Sequence, residues 1–82
     1  MYSVVVFTNT NDVDVVASKW VMKEFDEMVC YWPSSAKPSV LAKAVRVCKT
    51  PVKDSWHTFP CRVLYQTGQY YFAVFFSEFH YY

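Results

Sequence analysis

A chain of 82 residues has room for one small domain, because chains of this size bury only about 60–65% of the surface their unfolded forms expose; a two-domain enzyme is excluded. With 54% hydrophobic, 21% aromatic and 18% charged residues and a single glycine, the composition excludes disorder, collagen-like repeats and flexible linkers. The net charge of +1 falls short of the basic excess expected of a protein held to nucleic acid mainly by phosphate contacts.

Charge is uneven along the chain. Residues 1–36 set Lys19 and Lys23 against Asp12, Asp14, Glu24, Asp26 and Glu27, a net −3. Residues 37–62 set Lys37, Lys43, Arg46, Lys49, Lys53 and Arg62 against Asp54, a net +5, and the remainder holds only Glu78. The middle segment is thus a candidate basic face, with ordinary solvated charges on a helix and a loop as the alternative. Cys30, Cys48 and Cys61 cannot all pair within one chain, and no signal-peptide pattern precedes them, so an intracellular, reducing compartment is expected. No apolar run approaches the ~20 residues of a membrane-spanning helix.

Tyr2 to Phe7 (YSVVVF) is a β-branched and aromatic run of strand length, followed by the polar cluster Thr8 to Asp12. Val13 to Ala17 resumes the strand pattern, and the two runs predict an antiparallel hairpin. Ser18 is placed to cap a short helix in which Trp20, Val21, Phe25, Met28 and Val29 share one face. Met28 to Trp32 suits a buried strand stopped by Pro33, and competes with that helix for Met28 and Val29. Ser34 to Ser39, with Pro38, supplies cap and first-turn chemistry for a helix to about Lys49. There Val40, Leu41, Ala44, Val45 and Cys48 form an apolar stripe while Lys43, Arg46 and Lys49 face outward, and Pro51 ends the helix. Lys53 to Trp56 is a loop carrying one large ring, and Cys61 to Tyr65 favours a strand. Gly68, the only glycine, is the expected site of a positive φ. In Tyr70 to Tyr82 eight of thirteen residues are aromatic. Phe72, Phe75, Phe76 and Phe79 fall at helical spacing while the residue types favour a strand; spacing tips the reading to helix, with a strand buried on both faces left open.

Three constellations bear on chemistry. Cys30, Cys48, His57, Cys61 and His80 include metal-ligand types, but only His57 and Cys61 are close in sequence, and zinc sites ordinarily start from a tight pair. No metal or other cofactor is expected. A thiolate from Cys61 beside His57 lacks an orienting carboxylate or an oxyanion loop, so no catalytic residue is assigned. Nucleic-acid binding would draw on Lys43, Arg46, Lys49 and Lys53, with Trp56 and Tyr65 as stacking rings, although no recognition-helix or RNP-type motif accompanies them and the tryptophans also suit a core.

Order along the chain adds a resemblance. The segments Y-S-V-V-V-F, V-D-V-V-A-S-K-W, C-Y-W-P, P-V-K-D-S-W-H-T-F-P, C-R-V-L and Y-Y-F-A follow one another from Tyr2 to Ala73. This order resembles the N-terminal module of an uncharacterised arthropod and fish family of transposon-associated, transposase-derived proteins. The resemblance implies a nuclear or chromatin-related recognition module without known catalysis, a linker and second domain beyond it, and structural roles for Trp20, Trp32, Pro33, Trp56 and Leu64. Two positions depart from the pattern: Ala17 stands where the family prefers proline, and the tail is aromatic where the family's closing helix is charged.

The expected architecture is α+β, a small bent antiparallel sheet with two short helices and a core around Trp20, Trp32 and Trp56. Residues 1–69 form the module and residues 70–82 an aromatic tail. The leading functional expectation is non-catalytic recognition of a protein partner, or self-association, through Tyr70, Phe72, Phe75, Phe76 and Phe79. A basic nucleic-acid-binding module is the alternative, and no membrane partner is expected.

Overall fold

A computed structural model describes residues 1–33 and 37–80, excepting the side chains of Phe79 and His80. Strands β1 (Tyr2–Phe7) and β2 (Asp12–Ala17) form the expected hairpin, Tyr2 opposite Ala17 and Phe7 opposite Asp12. Asn11 closes its turn at φ 60°, a conformation asparagine tolerates better than most residues. β1 is buried on both faces at Val4, Val5 and Val6, as its unbroken β-branched run requires.

The helix expected after Ser18 is replaced by a single 3₁₀ turn, Ser18–Trp20, and a second hairpin, β3 (Val21–Glu24) with β4 (Glu27–Trp32). Phe25 and Asp26 form its two-residue loop at φ 51° and 63°, the signs of a type I′ turn. Phe25, grouped by its spacing on one face of that helix, is fully exposed at the turn. The Trp20 ring dominates the core instead: it has no exposed surface, meets Trp56 edge-to-face at 4.9 Å and Trp32 at 6.3 Å. Its indole N–H donates to the Lys49 carbonyl at 2.6 Å.

Helix α1 (Pro38–Arg46) opens on Pro38 as expected, but Lys37 is its cap and makes no side-chain capping bond. Ser34 and Ser35, also expected to contribute there, lie outside the described residues. Its end is a Schellman motif rather than a proline stop: Cys48 takes φ 52°, the Lys49 N–H donates to the Ala44 carbonyl and the Cys48 N–H to that of Val45. Leu41, Ala44, Val45 and Cys48 turn inward while Val40 stays exposed.

Strand β5 (His57–Thr67) begins before Pro60, earlier than expected. It is the middle strand of a five-stranded antiparallel sheet ordered β2-β1-β5-β4-β3. Residues 57–60 pair with β4 and residues 61–67 with β1. A strand residue's N–H and C=O point to the same side. The Pro60 carbonyl accepts from the Thr8 N–H at 3.1 Å, so the donor that proline lacks falls past the end of β1 and disrupts no ladder.

Gly68 does not adopt positive φ. Past it, α2 (Tyr70–His80) is the helix favoured by the phenylalanine spacing. α2 lies on β1, β2 and β5, with Ala73 wholly buried and Tyr70 edge-on to Tyr2 at 5.4 Å. Residues 70–80 are therefore packed into the domain. The fold is α+β with two helices, as expected; α1 is one of the pair drawn from the sequence, and α2 stands in for the helix expected after Ser18. No helix among the described residues is long and apolar enough to cross a membrane.

Candidate functional site

Helix α2 divides its aromatic residues between two environments. On the inner side, Ala73 lets the helix approach the sheet, and Phe76 stacks on Tyr65 with centroids 4.3 Å apart and planes 12° from parallel. On the outer side Tyr71 is 76% exposed, and Phe72 and Phe75 are each 62% exposed. Positions 71 and 75, and 72 and 75, are neighbours on a helix surface, so these rings form one continuous patch. Tyr65, Phe72, Phe75 and Phe76 line a shallow groove of about 270 Å³ beside it. Of the tail residues expected at an interface, Phe72 and Phe75 lie on the exposed face, Phe76 and Tyr70 are half-buried, and the Phe79 side chain is outside the described residues. Tyr71, which the four-position spacing omitted, completes the patch.

The basic residues of the middle segment are exposed. Lys43 and Arg46 occupy the last turn of α1 and Lys49 follows it, where cations complement the helix C-terminus. Lys53 lies apart, its ammonium 5.9 Å from the centre of the Tyr31 ring. Of the rings grouped with them, Trp56 is inside the core against Trp20, whereas Tyr65 stays 39% exposed and stacks on Phe76.

The cysteines are free thiols. Burial raises the Cys30 thiol far above its ordinary range, with smaller contributions from Cys61 and Asp14, and burial also raises Cys61. Both therefore stay protonated at neutral pH, the form that does not attack carbonyls. Among the described residues no three His, Cys, Asp or Glu side chains converge on a possible metal position.

A further hollow had no local sequence signature. Phe7, Asn9, Thr10, Asp12, Val13, Asp14, Trp32 and Phe59 line a cleft of about 420 Å³ open to solvent. Register assembles it: β1–β2 pairing puts Phe7 opposite Asp12 and Val5 opposite Asp14, so the Phe7 ring and both carboxylates emerge on one face. Phe7 meets Trp32 edge-to-face at 5.4 Å and 90°, and Phe59 at 6.2 Å and 84°. Water reaches Asp14, but crowding by neighbouring atoms raises its carboxyl above the usual aspartate range; the Val15 N–H, donating at 2.9 Å, opposes that shift, and nearby Asp12 adds slightly to it.

Neither a protein-family model, nor a curated protein, nor a solved structure matches the chain.

Proposed function

We propose that the chain is a non-catalytic recognition module that binds a protein partner, a second copy included, through the outer face of α2. We further propose that it serves in a transposon-derived protein of the nucleus; the ordered segments from Tyr2 to Ala73 support that setting. The observation carrying the binding reading is the contiguous exposure of Tyr71, Phe72 and Phe75. Single exposed apolar residues are ordinary, whereas a continuous aromatic patch marks a surface that gains by being covered.

Sedimentation equilibrium and binding of a hydrophobic dye test this on the whole chain and on a Phe72→Asp, Phe75→Asp double variant. The wild type is expected to self-associate or to bind dye at the patch. The variant should do neither while keeping its circular dichroism. A wild type that stays monomeric at high concentration and binds no dye overturns the reading.

A second reading, binding to nucleic acid, is favoured by the exposed trio Lys43, Arg46 and Lys49. Among the described residues the only salt bridge is Lys23 to Asp26 at 3.9 Å, so no carboxylate pairs with the trio. Gel-shift affinity that falls steeply with salt, with a shallower slope after Lys43→Gln, Arg46→Gln and Lys49→Gln, would support it; no shift at low salt removes it.

A further inference from the structure

The cleft between the β1–β2 turn and the paired strands β4 and β5 combines two features that ordinary surface hollows lack. Its walls are aromatic rings set nearly at right angles, Phe7 at 90° to Trp32 and at 84° to Phe59. Asp12 and Asp14, both exposed, also line it, and among the described residues neither has a cationic partner. An aromatic face attracts cations through its quadrupole, and a carboxylate attracts them through its charge. The site therefore selects for positive charge and disfavours phosphates and carboxylates.

The chemistry narrows the cation further. A bare metal ion needs several oxygen ligands, and no group of three suitable side chains is present among the described residues. An unmethylated ammonium is strongly hydrated and brings three N–H donors, which ring faces satisfy poorly. Methylation removes donors, spreads the charge over methyl groups and makes the head apolar enough to sit against rings. The open side of the cleft leaves room for a lysine stem to leave toward solvent, and the exposed lining residues Asn9 and Thr10 offer hydrogen-bonding groups to a passing peptide backbone.

We propose that this cleft binds the methylated side chain of a lysine in a partner protein, with Phe7, Trp32 and Phe59 against the methylammonium group and Asp12 and Asp14 supplying the countercharge. The site uses no residue of α2. It goes beyond the reading of that helix as a docking face, and each stands or falls by its own variants.

The test is NMR titration of the whole chain, following the Trp32 indole N–H. The probes are a short peptide bearing trimethyl-lysine, the same peptide with unmethylated lysine, the same peptide with the neutral tert-butyl isostere, and tetramethylammonium chloride. The trimethyl-lysine peptide is expected to bind about tenfold more tightly than each of the other three. Phe59→Leu, which keeps apolar bulk and removes the π face, should weaken it several-fold, as should Asp12→Asn at an exposed position that does not threaten the fold. Phe72→Asp with Phe75→Asp should leave it unchanged. Equal binding of the isostere would make the cleft a plain apolar slot, and equal binding of unmethylated lysine a plain acidic patch. Equal binding of tetramethylammonium would assign it to small quaternary amines. Any of these, or no response to the trimethyl-lysine peptide at millimolar concentration, overturns the proposal.

Discussion

Among the described residues, four other than glycine hold positive φ, Asn11, Phe25, Asp26 and Cys48, while Gly68 does not. Glycine at position 68 is therefore not required by backbone geometry, and a β-carbon built there meets nothing within 4 Å. Gly68→Ala should stabilise the protein by about 0.4–1 kcal/mol, because alanine narrows the unfolded ensemble and strains nothing in the folded one. A melting temperature that falls would count against this account. Asp14 makes a second case. Crowding raises its carboxyl above the ordinary value of 3.8, so the folded state binds a proton more readily than the unfolded chain does. Stability from this group is fully present below the unfolded value and is lost as pH rises through the folded one. Asp14→Asn, whose amide oxygen can still accept from Val15, should therefore raise stability at pH 7 and change it little at pH 3; urea unfolding at both pH values checks the sign.

Elements were legible in the sequence where pattern and punctuation agree. The β1–β2 hairpin combines two β-branched runs with a polar connection, and α1 combines Pro38 with an apolar stripe. The stretch from Trp20 to Val29 misleads because its apolar positions fit a helical face, while the loop that breaks it is Phe25-Asp26 instead of the Asn-Gly that ordinarily announces a type I′ turn. This turn sets two side-chain-bearing residues at φ 51° and 63°, a region that costs most residues about 1–2 kcal/mol each. Phe25→Asn with Asp26→Gly should raise stability by about 1 kcal/mol in thermal unfolding, since the exposed Phe25 ring contributes no core packing. The start of β5 was hidden for a different reason: Pro60 reads as a boundary until the partner strands are known. The cleft was least legible of all. Its rings and carboxylates come from both ends of the first hairpin's turn, from β4 and from β5, and only strand register brings them together.

Across the whole molecule, Trp20 is the meeting point of the parts. Its ring contacts Trp32 at the end of β4 and Trp56 just before β5, and its N–H holds the backbone beyond α1. Trp20→Phe removes that hydrogen bond, leaves the Lys49 carbonyl short of a partner and opens a gap beside two rings, so a loss of about 2–4 kcal/mol is expected. In urea the midpoint should fall with little change in slope, as for one cooperative unit; a normal midpoint would show that the tryptophan cluster does not tie the domain together. Strand β5 has a consequence for how the chain is made. The two hairpins are complete by Trp32, yet the strand between them spans residues 57–67. On a ribosome, where the N-terminal part emerges first, β1 and β4 wait with unpaired edges until that strand leaves the exit tunnel. The nascent chain is most open to mispairing during this interval, and slowing synthesis between Trp32 and His57 lengthens it.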